Sequence, residues 1–176
     1  MRSTTPGCTC GGSSTTRWRA DRATLVVVKK DEAVLVVQFL ATGGLFWPGR
    51  ALWRLPPAVL AGAGVLVAAG TALGLAGGLR HGGRLTVKIT PPSDASLITD
   101  GPYRLSRHPI YAGILVAGAG FAVLRRRPEP LAALLVLAPV LHLKTGLEEA
   151  RLRERFGPAY ESYAQRTPRL LGLPRG

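Results

Sequence analysis

From Gly101 to Gly113 the chain reads Gly101-Pro102-Tyr103-Arg104-Leu105-Ser106-Arg107-His108-Pro109-Ile110-Tyr111-Ala112-Gly113, a concentration of turn-formers, aromatics and cations between apolar regions. Pro109 biases His108 away from helical backbone. Pro109 itself suits the first turn of a helix carrying Tyr111. His108 then stands just outside a helix N-terminus, where unpaired N–H groups and the helix dipole favour an anion. Arg104 and Arg107 add positive charge. The chemistry this suggests is capture of a small ligand bearing a carboxylate or phosphate at a membrane–water boundary. An interfacial turn with arginines reaching for headgroups and a capping histidine fits the same residues, so both readings stand at this point.

A second candidate is the pair Glu148 and Glu149, which follows an apolar run directly. Carboxylates at or near a membrane are expensive to bury unpaired and therefore point to function. They are also spaced as ordinary helix pairs, Glu149 with Arg153 at i,i+4 and Glu148 with Arg151 at i,i+3. His81 and His142 stand alone, with no Asp, Glu or Cys at metal-ligand spacing, so no metal site is expected. Cys8 and Cys10, the only cysteines, are separated by one residue and read as two free thiols. No Gly-x-Ser-x-Gly and no Gly-x-Gly-x-x-Gly is present, which removes serine catalysis and a Rossmann site.

The elements that must position these residues are apolar runs. The 176-residue chain is 47% hydrophobic and carries a net charge of +13. Its charges sit at the ends of the runs, which is membrane-protein organisation. The same placement argues against nucleic acid, since the basic residues do not line one face among aromatics. They fit contact with the headgroups of membrane lipids instead.

Ala33 to Trp47 is a first apolar run of about 15 residues, short of the roughly 20 a straight span needs. Pro56 to Leu79 is the clearest span, and its glycines and alanines permit close helix approach. Ile110–Leu124 and Pro130–Leu143, joined through Arg125-Arg126-Arg127-Pro128-Glu129, are each short and read as a helical hairpin. From Lys144 the chain turns amphipathic. Gly157-Pro158 ends that helix, and Ala159–Gln165 makes another. The expectation is an all-α integral membrane fold with about four apolar helices: two spans, a C-terminal hairpin and a cytosolic amphipathic C-terminal segment.

Residues 1–30 read as a disordered basic leader and 31–176 as the membrane domain, with the ligand region at about 95–171. The basic connector Arg80–Arg107, broken at Pro91-Pro92, is placed in the cytoplasm by the positive-inside rule. An even number of crossings then brings this connector and the C-terminal tail to one side.

Taken together, Leu97-Ile98-Thr99-Asp100-Gly101-Pro102-Tyr103-Arg104, Arg107 to Gly113, Glu148-Glu149, Phe156-Gly157-Pro158-Ala159-Tyr160-Glu161-Ser162-Tyr163 and Thr167-Pro168-Arg169 resemble the isoprenylcysteine carboxyl methyltransferase family of integral membrane enzymes. The resemblance implies a methyltransferase of the cell inner membrane that uses S-adenosylmethionine, with its site facing the cytoplasm. By position, it implies cofactor contacts at Leu97, Ile98, Tyr103, His108, Pro109, Ile110, Tyr111 and Glu148, with Arg107 added from the same motif. Lys144 stands where the eukaryotic members carry a substrate-side arginine, so a point charge replaces a planar fork. Ala95 stands where a histidine is common. The resemblance implies a lipid-like or prenylated acceptor and carboxyl O-methylation. Phospholipid N-methyltransferases share a similar turn and glutamate pair, and an NADPH-dependent membrane reductase of the sterol-reductase type is the other alternative.

Overall fold

The computed structural model describes residues 33–80 and 97–172. The leader 1–30 with Cys8 and Cys10, and the connector positions His81, Pro91-Pro92 and Ala95, lie outside the described residues. The chain divides into two compact units, Met1–Ala33 and Val34–Gly176. Apart from Ala33, the first unit lies outside the described residues.

The described residues are all-α. Helix α1 covers Ala33–Leu45 and α2 Pro57–Leu79. A short 3-10 turn covers Gly101–Arg104. Helix α3 covers Pro109–Arg125, α4 Pro128–Phe156 and α5 Pro158–Arg166. Proline sits in the first turn of α2, α3, α4 and α5, where its missing N–H costs no helical bond.

Two helices, α2 and α4, are long and apolar enough to cross a membrane, and the fold is membrane-associated. In α2 only 11% of the most apolar window is buried within the molecule, and Val59, Val65, Leu66 and Leu75 point outward. A soluble core helix would bury those side chains, whereas a helix in lipid has no reason to.

The C-terminal half of the expected hairpin needs correction. Its second arm is not a short run ending at Leu143. One helix of 29 residues runs from Pro128 through Lys144 to Phe156, about 43 Å at 1.5 Å per residue. The residues from Lys144 onward therefore continue the apolar helix instead of forming a separate amphipathic segment. The change of polarity at Lys144 alters which solvent the helix suits, but it contains no stop signal. Pro139 lies inside the helix and removes one backbone donor without ending it.

Helices α2 and α3 run antiparallel in backbone contact. A Cβ at Gly70 would fall 2.6 Å from the Gly113 carbonyl, and one at Gly113 would fall 2.6 Å from the Gly74 nitrogen. Only glycine allows this approach, which replaces side-chain burial with direct helix packing. The register places Gly77 against Pro109 and Ala63 against Gly120. Helix α1 lies against α4, where Ala41 and Leu45 bury with Leu137 and Leu141. The 46–56 connection and the α3–α4 turn thus share one end, tied by the Leu52 N–H to the Arg126 carbonyl at 3.0 Å. The 3-10 turn, the start of α3 and the end of α4 share the other.

Candidate functional site

The site is built on a backbone splice. The Arg107 N–H donates to the Pro168 carbonyl at 2.9 Å, and the His108 N–H to the Arg169 carbonyl at 3.2 Å. Ser106, fully buried, donates its Oγ to the same Arg169 carbonyl at 3.2 Å and accepts from the His108 N–H at 3.1 Å. The tail after α5 is thereby laid along the Arg107–His108 turn. The ends of the polar connector are held together by Arg80 and Asp100, paired at 2.9 Å.

Tyrosines brace this splice from behind. Tyr103, Tyr160 and Tyr163 form a buried cluster against which Leu97, Ile98, Leu152 and Phe156 pack. Tyr163 Oη donates to the Tyr103 carbonyl at 2.7 Å, and Tyr103 Oη reaches the Gly77 carbonyl of α2 at 3.5 Å. Burial pushes the Tyr103 and Tyr163 hydroxyls well up, so both stay neutral donors. Burial, with the Glu149 charge adding, also raises Tyr160, to about 12.

His108 caps α3 in non-helical backbone, as Pro109 requires. Its ring lies between the two glutamates of α4, with Nδ1 at 3.4 Å from Glu148 and Nε2 at 3.4 Å from Glu149. Burial alone would favour neutral imidazole. The paired carboxylates outweigh it and raise the His108 pKa above the ordinary value. Tyr111, one turn into α3, stacks on the histidine at 5.8 Å between ring centroids. Its Oη donates to Glu148 at 2.6 Å, a short charge-assisted bond.

The two glutamates have different tasks. Glu149 is fully buried, and Arg169 grips it with two donors, at 3.0 and 2.8 Å. Arg107 approaches at 3.1 Å and Arg153 at 3.4 Å. So many cations make Glu149 a structural hub. Glu148 keeps 18% of its side-chain surface exposed, accepts from the Tyr111 hydroxyl and faces one edge of His108. It is the more exposed of the two carboxylates. Lys144, one turn earlier and 1% exposed, sits 5.2 Å from the Tyr111 ring centroid and donates to Gln38 Oε1 of α1 at 3.0 Å.

Of the residues singled out in the sequence, His108, Tyr111, Lys144 and Glu148 come together between α1, α3 and α4, with Arg107 at the neighbouring Glu149. Leu97, Ile98 and Tyr103 lie in the tyrosine cluster. Pro109 and Ile110 turn their side chains toward Gly77 of α2. Sequence reasoning singled out Glu149 beside Glu148 without giving it a role of its own, and it gave no site role to Arg169, Ser106 or Gln38. Gln38 carried a signal, as a lone amide within an otherwise apolar stretch of α1. The Glu149–Arg169 pair carried none locally, because its partners are twenty residues apart.

Comparison with known proteins places this arrangement. A sequence model of the isoprenylcysteine carboxyl methyltransferase family matches residues 63–154, over half of the chain, from α2 to the end of α4. A probable protein-S-isoprenylcysteine O-methyltransferase of Oryza sativa subsp. indica is 39% identical over 89 residues, covering 50% of this chain and 46% of the relative. Protein-S-isoprenylcysteine O-methyltransferase B of Arabidopsis thaliana is 34% identical over 83 residues, covering 47% and 42%. The chain spans about half the length of these relatives, and the stretch matched by the family model holds the histidine turn, Tyr111, Lys144 and both glutamates. The chain belongs to the isoprenylcysteine carboxyl methyltransferase family.

Proposed function

We propose that the protein transfers a methyl group from S-adenosylmethionine to a lipid-like or isoprenoid acceptor, by carboxyl O-methylation at the membrane–cytosol boundary. The observation that carries this reading is the Tyr111–Glu148–His108 constellation, held inside the stretch that matches the family. Its chemistry fits the cofactor. Glu148 has the acceptor capacity to take ribose hydroxyls or an ammonium group. The first-turn amides of α3, ahead of the Ala112-to-His108 bond, are donors suited to a carboxylate. Leu97, Ile98, Tyr103, Arg107, His108, Pro109, Ile110, Tyr111 and Glu148 are the proposed cofactor-binding residues.

When bound, S-adenosylmethionine supplies an electrophilic methyl on a sulfonium, and a carboxylate acceptor needs no proton removed before it attacks. The protein's own residues then have three tasks. Tyr111 and His108 fix the Glu148 carboxylate in one orientation. The Glu149 hub holds the turn that carries His108. The apolar helices exclude water, so that alignment does most of the work. Lys144 with Gln38, in the apolar layer below Glu148, supports an anionic acceptor that arrives from lipid. In this reading the chain crosses the membrane as four helices, with the site on the cytoplasmic side, as the basic connector Arg80–Arg107 indicates.

Binding to the detergent-purified protein tests the cofactor assignment. Saturable binding of S-adenosylhomocysteine and none of NADPH is expected, and saturable binding of NADPH alone overturns it. Labelled methyl transfer into a lipid extract, with the product identified as ester or amine, separates carboxyl O-methylation from phospholipid N-methylation.

A further inference from the structure

The end of the bundle opposite the candidate site has a composition that the methyl-transfer reading does not use. The 46–56 connection and the α3–α4 turn bring five arginines, Arg50, Arg54, Arg125, Arg126 and Arg127, together with one carboxylate, Glu129. Arg127 already holds that carboxylate with two donors, at 3.0 and 2.7 Å. Arg125 and Arg127 also tie down the connection, donating to the carbonyls of Trp47 at 2.7 Å and Pro48 at 3.1 Å.

Three guanidinium groups are left. Arg50 and Arg54 are exposed, and among the described residues neither has a hydrogen bond or ion pair. Arg126 is likewise unpaired, and its Nε is buried without a partner. The Leu52-to-Arg126 backbone bond places all three on one short strip, because Arg50 and Arg54 flank Leu52. Arg126 is also the one described non-glycine residue with left-handed backbone, at φ 53°, in a C-cap position that glycine normally takes. A Cβ there is crowded by the backbone, so arginine is disfavoured at this position relative to glycine. Around the strip, Phe46, Trp47 and Trp53 are exposed. Exposed aromatics at the end of apolar helices mark the headgroup level of a bilayer.

We infer that this strip is a binding site for the phosphate headgroup of an anionic phospholipid, on the leaflet opposite the candidate methyl-transfer site. The charge has no protein counterpart among the described residues, and the aromatics put it at the depth of the phosphates. Arginine matches phosphate with a planar fork. The site anchors the far ends of α1, α2, α3 and α4 in register with the bilayer.

The test uses the full chain in nanodiscs that mix phosphatidylcholine with phosphatidylglycerol, with co-purifying lipid read by native mass spectrometry. The wild type should retain phosphatidylglycerol preferentially. The preference should fall on the order of fivefold for each arginine removed. Arg50→Gln and Arg54→Gln change exposed side chains without a partner. Arg126→Gly suits the left-handed backbone, so it removes the charge without disturbing the turn. Loss of the preference in the triple variant, with unchanged melting in phosphatidylcholine alone, supports the site. Undiminished phosphatidylglycerol retention in the double Arg50→Gln, Arg54→Gln and triple variants overturns it. An equal gain in thermal stability from inorganic phosphate in detergent also overturns it, by showing that the strip selects a free anion and not a lipid.

Discussion

Arg169 donates one N–H to each oxygen of Glu149, at 3.0 and 2.8 Å, and so closes the C-terminal tail onto a helix twenty residues upstream. The same residue's carbonyl accepts from the His108 N–H and the Ser106 hydroxyl. One residue therefore fixes both the buried carboxylate and the backbone of the histidine turn. Since the stretch matching the family ends at residue 154, this clamp is supplied by sequence beyond it.

Removing either half of the clamp should loosen the turn. Glu149→Ala leaves Arg107 and Arg169 without their shared anion and is expected to cost about 3–5 kcal/mol, the range for breaking a buried ion pair. Arg169→Lys keeps the charge but loses the planar two-point grip and should fall between the wild type and Arg169→Ala. Thermal unfolding in detergent checks the order. Equal melting of Arg169→Lys and the wild type would show that charge alone suffices.

Tyr111→Phe deletes a 2.6 Å bond to the Glu148 carboxyl group and nothing else of comparable strength. Hydrogen bonds to charged groups contribute about 1.5–3 kcal/mol. The expected result is a loss of S-adenosylhomocysteine affinity on the order of ten- to a hundredfold, with unchanged insertion in the membrane. Isothermal titration on the purified protein measures it. Unaltered affinity would remove Tyr111 and Glu148 from the cofactor site.

The raised pKa of His108 makes stability depend on pH with a definite sign. Its folded value lies above the unfolded value near 6.5, so the folded state binds the proton more tightly. The contribution is complete below about pH 6.5 and disappears as the pH rises through the folded value. Melting temperature should therefore decline on the alkaline side of that window. His108→Asn should flatten that part of the profile while leaving the acid limb in place. A decline of the same size in His108→Asn would assign the effect to other groups.

Residues that act on their neighbours in sequence were legible, and residues that act across the fold were not. Pro109 after His108 and Gly157 before Pro158 fix the backbone locally, so the start of α3 and the end of α4 could be read from the chain. The charge onset at Lys144 was misleading. It changes solvent preference but not helical geometry, and nothing between Leu143 and Phe156 stops a helix. Gly146 is tolerated there, with open space around it. Glu149 and Arg153 at i,i+4 spacing looked like a surface pair. Only the tail, carried back by α5, turns Glu149 into a buried hub. Gln38 and Lys144 meet across 106 positions, and no local pattern encodes that.

Gly70 and Gly113 should be intolerant of any side chain. A Cβ at either position falls 2.6 Å from a backbone atom of the opposing helix. Two backbones would have to separate, and the site at the start of α3 would move with them. Gly113→Val should cost at least about 1–3 kcal/mol, the range for overpacking, and should also lower cofactor affinity. Gly62→Ala, at a position with open space around it, is the matched control and should be neutral. Comparable melting of the two variants would show that α2 and α3 are not held in backbone contact.

Gln38 and Lys144 should set acceptor affinity without setting cofactor affinity. They meet between α1 and α4, with the Lys144 Nζ 5.2 Å from the Tyr111 ring centroid, whereas Glu148 faces the His108 Nδ1 at 3.4 Å. Removing the ammonium in Lys144→Met should raise the KM for an isoprenyl-cysteine analogue with a free carboxylate. The rise should be on the order of tenfold or more, the contribution of one charge-assisted hydrogen bond. Gln38→Leu should produce a smaller rise, because it removes the group that orients the ammonium and leaves the charge. Affinity for S-adenosylhomocysteine should change less than the KM for the acceptor in both, although Lys144 packs on the Tyr111 ring beside Glu148. Steady-state kinetics against acceptor concentration, paired with titration of the cofactor product, reads both quantities on the same preparations. A parallel loss of cofactor affinity would place Lys144 in the cofactor site. An unchanged KM would leave the Lys144–Gln38 pair as a structural tie between α1 and α4.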